Sequence, residues 1–297
     1  PKKTTYANVE LVDTMPPQAK ATGGAGFDGS FLAAVRPMDA FLLVLRAFDE
    51  PGLCEPAVDA ATMLSEMAVA DLMVVDGRLE RMALDGKKGK PVSAEERVAL
   101  ERASALLNAG KAVRDDPEVA ALPELRTYAL LTARPILLVL NVGETDTGVE
   151  HDALCAQWGV AELGLPTFGC NAKLEAEIRD LPEADRAEFM GAMNIRESAV
   201  HAMIRKTYGA LGLVSFLTGG DDEVRAWTIH RGTLAPRAAG AVHSDIEKGF
   251  IRAEVIAYDD FDHLGSEAAA RKAGRYRLEG REYVVQDGDI INFRFNV

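Results

Sequence analysis

The sequence is short of cysteine, of long apolar runs and of positive charge. Its three cysteines, Cys54, Cys155 and Cys170, lie far apart in 297 residues with no CxxC pair and no Cys/His ligand spacing. That excludes a disulfide scaffold and a zinc site, and it fits a reducing, cytoplasmic setting. The longest apolar stretches, such as residues 136–140 (ILLVL), fall far short of the ~20 residues a membrane helix needs, so no membrane partner is expected. Lysine and arginine number 33 against 46 acidic residues, a formal charge of −13. Such a charge opposes indiscriminate binding to nucleic acid or anionic lipid, so any RNA contact must be a local patch, and no DNA specificity is expected. The phosphate cradle G-x-x-x-x-G-K-[ST] occurs nowhere, since Gly86-Lys-Lys-Gly-Lys has the wrong spacing. The five histidines are scattered without nucleophile–base or metal spacing.

What is present is an α/β pattern. Residues 9–12, 41–45 and 136–140 are short apolar runs of the kind buried in parallel sheets, joined by a weaker one at 165–168. Between the second and third runs, residues 60–131 have helix-forming composition, with Leu64, Met67, Leu72, Val75 and Leu79 at three- and four-residue steps. This predicts a helical hairpin whose exposed, basic turn is residues 86–91. Its second helix starts with the capping-box pattern Ser93 to Glu96. Residues 197–211 carry the stripe of an amphipathic helix, and from about Val214 the chain becomes strand-rich. Runs at 224–229, 251–258, 283–285 and 290–295 predict a small α+β module, with Asp287-Gly288 suited to a tight hairpin between the last two. The acidic residues 258–262 read as a solvated loop, and Lys248, Arg252, Arg225, Arg231 and Arg237 as a basic face or ordinary charged surface.

Three stretches carry candidate chemistry. Residues 9–13 end an apolar run on Asp13, the way a nucleotide-binding sheet presents a carboxylate to a phosphate site; Pro16 then stands where a phosphate-facing glycine N–H is expected. Gly24 to Gly29 matches G-x-G-x-x-G but does not directly follow a strand, so a flexible loop is favoured over a dinucleotide site. Asn141-Val142-Gly143-Glu144 ends a strand and Cys170-Asn171-Ala172-Lys173 follows the next. Two loops at the carboxyl ends of neighbouring strands form the crevice where open α/β sheets bind ligands. An asparagine amide there can donate to and accept from a purine edge.

From Glu223 onward, "EVRAWTIHRGTLAPRAAGAVHSDIEKGFIRAEVIAYDDF" and "GREYVVQDGDIINFRFNV" closely resemble the C-terminal TGS domain of the YchF/Obg-like ATPase family. "PKKTTYANVELVD", "LLTARPILLVLNV", "NVGE" and "AKLEAEI" are similar to that family in the same order, so the resemblance spans essentially the whole chain. It implies an incomplete P-loop NTPase (Rossmann-like) sheet at residues 1–59 and 132–212 with an inserted antiparallel coiled-coil hairpin at 60–131. A ubiquitin-like β-grasp TGS domain follows at 213–297.

The resemblance further implies a cytoplasmic, ribosome-associated, monomeric nucleotide-binding protein that prefers ATP to GTP. Asn141, Val142 and Glu144 would line the adenine, Lys173 would support them, and Asp13 would stand beside Mg2+. Two departures lower the expected hydrolysis. The family's Asp-Ile-Ala-Gly is Asp13-Thr14-Met15-Pro16 here, and its usual histidine is Leu43. The phosphate cradle is expected ahead of Pro1, which makes this chain an N-terminally incomplete piece. The alternative is a catalytically inactive adaptor that docks on the ribosome or RNA through the hairpin and TGS domain.

Overall fold

The computed structural model describes residues 2–14, 27–48, 54–193, 195, 197–220 and 222–296. Its strands are β1 (Lys3–Thr5), β2 (Phe41–Ala47), β3 (Ile136–Val142), β4 (Thr167–Cys170), β5 (Leu213–Gly219), β6 (Glu223–His230), β7 (Phe250–Ala257), β8 (Arg277–Glu279) and β9 (Asp289–Phe295). The chain divides into two compact units, residues 12–207 and residues 1–11 with 208–297.

In the first unit β2, β3 and β4 form a parallel sheet in that order, with Leu43 opposite Leu138 and Asn141 opposite Cys170. Ile136 to Leu140 is buried at every position, which explains the unbroken apolar run: a central parallel strand is covered on both faces. The connecting helices are α1 (Gly29–Val35), α2 (Pro56–Lys87), α3 (Ala94–Asn108), α4 (Pro117–Ala120), α5 (His151–Gln157), α6 (Ala172–Asp180), α7 (Glu183–Ala192) and α8 (Ala199–Ala210). Helices α2 and α3 make the expected hairpin. The cap at its turn is half of what the sequence predicts: Ser93 Oγ accepts the Glu96 N–H at 3.1 Å. The Glu96 carboxylate instead takes two bonds from Arg78, both at 2.9 Å, and the Tyr128 hydroxyl. A charge-assisted fork from arginine outweighs one backbone N–H.

The hairpin is seated by Asp71, which is fully buried on α2. Its carboxylate accepts the N–H of Leu131 (3.0 Å), the N–H of Thr132 (2.7 Å), the Thr132 hydroxyl (2.8 Å) and Arg36 Nη1 (3.3 Å). A buried carboxylate is tolerable only when so surrounded. This cluster fixes the segment that enters β3.

The second unit has a six-stranded sheet in the order β1-β6-β5-β9-β7-β8. Helices α9 (Ala235–Val242), α10 (Ser244–Lys248), α11 (Tyr258–Leu264) and α12 (Glu267–Lys272) complete it. Phe216, Phe250, Phe293 and the small residues Ala235, Ala238 and Ala239 of α9 fill its core. Gly249 lets the chain pass the last strand's end, because a Cβ there would lie 1.9 Å from the Asn296 carbonyl oxygen.

Three sequence expectations need correction. Residues 9–12 are not a strand; the ladder made near the amino terminus is β1, parallel to β6 with Lys3 opposite Glu223. Leu11 and Val12 stay 56% and 48% exposed, so the run has no apolar face to bury and no reason to stay extended. Residues 283–285 form only an isolated bridge, Val284 with Leu234. After the Asp287-Gly288 turn, with Gly288 at φ +78°, β9 pairs instead with β7 and β5. Residues 258–262 belong to helix α11 rather than a loop, closed by Gly265 in the left-handed region. Of the residues read as a basic face or ordinary charged surface, Arg237 pairs with Glu247, Lys248 pairs with Asp245 and Arg225 stacks on Trp227, which fits ordinary charged surface at those three.

Candidate functional site

The ends of β3 and β4 are held together by side chains rather than by chance proximity. Asn141, the penultimate residue of β3, uses Oδ1 to accept the N–H of Ala172 at the start of α6 (3.0 Å). That bond spends one half of the amide. Among the described residues Nδ2 of Asn141 donates to nothing, so an amide donor is left at the strand end. Val142 is buried in the core of this unit.

Glu144 begins the short turn Glu144–Asp146, and its carboxylate meets Lys173 Nζ at 3.1 Å, both side chains largely exposed. The hydrogen bond it donates to Glu144 raises Lys173 above the ordinary lysine range. The four residues predicted for the base side are therefore brought together: Asn141 and Val142 from β3, Glu144 and Lys173 as an ion pair across the two loops.

Five further hydrogen bonds, which the sequence does not signal as a set, tie these loops down. Asn171 caps α6 by accepting the Leu174 N–H (3.0 Å), the usual role of asparagine before a helix. Its Nδ2 also reaches the Thr147 hydroxyl at 3.3 Å, and that hydroxyl donates to the Gly143 carbonyl at 3.2 Å. Asp146 accepts Gln157 Nε2 (3.1 Å) and Trp158 Nε1 (3.3 Å) from the end of α5. The first turn is thus tied on both sides, and the asparagine immediately before Ala172 was the available signal. Beside it Cys170 is a poor nucleophile, since burial, helped by Glu175, pushes its thiol up to about 11.

Asp13 does not join this group. It is exposed, in a segment without helix or strand, and among the described residues no hydrogen bond or ion pair links it to the other four. Magnesium needs near-octahedral oxygen ligands held by carboxylates on a fixed scaffold together with phosphate. No cluster of three acidic, histidine or cysteine groups is found among the described residues, and Asp13 has no ladder to fix it. An ion held by one or two carboxylates together with a bound phosphate would take Asp13 as one such carboxylate, and its place beside Mg2+ is an expectation that rests on the family resemblance. Residues 24–26 of the glycine motif, like Pro16, lie outside the described residues; Gly29 opens α1, capped by Asp28, whose carboxylate accepts the Phe31 N–H at 2.8 Å. No helix among the described residues is long and apolar enough to cross a membrane.

Comparison with known proteins places this geometry in context. A family model named YchF-GTPase_C, described as a protein of unknown function (DUF933), matches residues 213–296. Over 308 residues the chain is 37% identical to the ribosome-binding ATPase YchF of Bacillus subtilis, covering all of this chain and 84% of the relative. It is 34% identical to Obg-like ATPase 1 of Oryza sativa subsp. japonica, again over its full length and 78% of the relative. Among solved structures, that of the Schizosaccharomyces pombe YchF GTPase superposes with a TM-score of 0.76 at 30% identity, covering 92% of this chain and 77% of that one.

Proposed function

Because the chain belongs to the YchF/Obg-like ATPase family, we propose that it is a ribosome-associated protein that reads a purine nucleotide, adenine in preference to guanine, with its two strand-end loops. The observation that carries this reading is the Asn141 Oδ1 bond to Ala172 N–H, which fixes both loops and leaves the amide donor Nδ2 at the crevice. An aromatic ring nitrogen is an acceptor for that donor, and the acidic Glu144 at the rim is an acceptor for an exocyclic amino group. Guanine places a carbonyl where adenine has its amino group, so a carboxylate there favours adenine. Lys173 holds that carboxylate in place. ATP is the nucleotide expected, with GTP weaker; relatives named ribosome-binding ATPase support the ribosome as partner.

The test is a titration of the chain with adenosine, guanosine and ATP, followed by amide NMR. Adenosine and ATP are expected to shift Val142, Gly143 and Ala172, guanosine less so, and Asn141→Ala to abolish the shifts. Equal shifts for the two nucleosides, or none, would sink the assignment.

Asp13, exposed and off the sheet, favours a second reading: an adaptor without hydrolysis. It predicts co-sedimentation with ribosomes that survives both Asn141→Ala and removal of nucleotide. Loss of co-sedimentation on either treatment excludes it.

A further inference from the structure

The three-stranded sheet ends on β4, and among the described residues no strand pairs with its outer edge. Register fixes which backbone groups lie there. Leu138 stands opposite Thr167, and its N–H donates to the Pro166 carbonyl at 2.8 Å. In a parallel ladder alternate residues bond to the same neighbour, so Phe168 and Cys170 turn their N–H and C=O groups toward β3 while Thr167 and Gly169 turn theirs away. Lys206 Nζ covers the Thr167 carbonyl at 3.3 Å. Gly169, an exposed residue, keeps both its N–H and its C=O without a hydrogen-bond partner among the described residues.

That edge opens into a cavity of about 320 Å³ lying wholly within the first unit. Leu154 of α5 packs on one face of the sheet with Leu138 and Leu140, whereas Phe168 packs on the other with Leu137, Val139 and Met203 of α8. Leu154, Phe168, Gly169 and Ala202 of α8 all line the cavity, so it wraps round the edge of β4 from face to face. Val149, 37% exposed, adds an apolar side chain to its wall. Four carboxylates line it, Asp146, Glu150, Glu175 and Glu197, against Lys206 and His151. Three are engaged: Asp146 by Gln157 and Trp158, Glu175 by the Ala199 N–H, Glu197 by Arg205. The exposed Glu150 carboxylate has no partner among the described residues.

An open strand edge is a template for a further strand, and natural sheets guard it with charge or a covering element. Here lysine guards one carbonyl and the next outward-facing residue stands open. We propose that the edge of β4 docks an extended, basic segment of a partner protein by strand addition. The residue opposite Gly169 exchanges N–H and C=O bonds with it. Its side chain falls toward Leu154, where a Cβ on Gly169 would point, and the side chains before and after it fall toward Ala202. Lysine or arginine in the segment meets Glu150 and the acidic wall. Strand β4 has only four residues, so the pairing is short and the charge of the wall selects the partner. Asn141, Glu144 and Lys173 do not line the cavity, so the docking site is separate from the nucleotide assignment and stands without it.

The test is amide NMR of the full chain titrated with a heptapeptide alternating lysine and valine. Its controls are the same peptide with glutamate for lysine and the lysine peptide methylated at every backbone nitrogen, all at equal ionic strength. The lysine peptide is expected to move the Gly169 N–H saturably and, at saturation, to slow its exchange with solvent about tenfold or more, with the glutamate peptide inert. Methylation should weaken binding about tenfold or more with the charge intact, which a contact made by charge alone would not show. Ala202→Arg, which fills the cavity, should weaken it about tenfold or more, and Glu150→Lys about threefold or more. Should Ala202→Arg fail to fold, Glu150→Lys at its exposed position and the methylated peptide decide. Three outcomes overturn the proposal: a still Gly169 amide, a response equalled by either control peptide, or a Gly169 shift on concentrating the chain alone, which would put a second copy on the edge.

Discussion

Two stretches of this chain read alike and fold differently. Residues 9–13 and residues 136–141 are each an apolar run ending on a polar side chain suited to nucleotide contact. The second becomes β3, paired on both sides in register, and delivers Asn141 to a fixed place where it locks a neighbouring loop. The first makes no ladder, leaves Leu11 and Val12 exposed, and leaves Asp13 without a scaffold. A strand-end residue gains chemical meaning from the backbone bonds behind it. An apolar run supplies only the apolar half of that condition.

The largest difference should be in hydrogen exchange. Amides of Leu138 to Asn141 open only with the unit as a whole and are expected to exchange at least ~10³-fold more slowly than those of residues 9–14. Equal protection would break the comparison outright, because residues 9–12 would then be a strand after all.

Next comes the seat of β3. Removing the Asp71 carboxylate strands Leu131 N–H, Thr132 N–H and Arg36 together. Asp71→Ala should therefore cost about 3–5 kcal/mol in urea unfolding of the unit. Exchange at Leu138 to Asn141 should accelerate with it, while residues 9–14, already open, should not change. A loss under ~1 kcal/mol would show that β3 is held by its ladder alone.

Much of this was legible beforehand, for physical reasons. Buried parallel strands must be apolar at every position, so β2 and β3 stand out; the hairpin stands out by its three- and four-residue steps and by Ser93 at its turn. The base-side residues were placed by family resemblance, since an Asn-x-x-Glu tetrapeptide alone is equally a turn. Asp71 carries no signal in the sequence, because its partners Leu131 and Thr132 lie 60 and 61 residues away: an acid in a helix looks exposed until Thr132 is folded against it. Helix α11 was read as loop because Tyr258 to Asp262 are mostly acidic. It is completed by the Gly265 cap and by Arg275, which pairs with Asp260 at 3.7 Å. Strand β5 was passed over because its side chains alternate between the core and a half-buried face.

A smaller effect isolates the lock itself. Asn141→Ala removes one hydrogen bond at a partly exposed strand end, so stability should fall by only about 1 kcal/mol. The readout is the Ala172 amide, whose exchange should quicken while the amides of β2 hold. If β2 exchange quickens equally, Asn141 is part of the sheet's stability and not a connector of loops.

The smallest effect is at the rim. Glu144 and Lys173 are both about three-quarters exposed, with side-chain exposures of 73% and 72%, so their ion pair sits in high dielectric and is screened by salt. Glu144→Gln should leave urea stability nearly unchanged yet lower the preference for adenosine over guanosine, because the acceptor for an amino group is weakened while Asn141 is untouched. Lys173→Met should act on that preference in the same sense and less strongly, since it frees the carboxylate without removing it. High salt should reproduce the lysine variant in the wild-type chain. If Lys173→Met instead lowers discrimination more than Glu144→Gln, the lysine contacts the base directly and the acid is the support, reversing the order assigned to the pair.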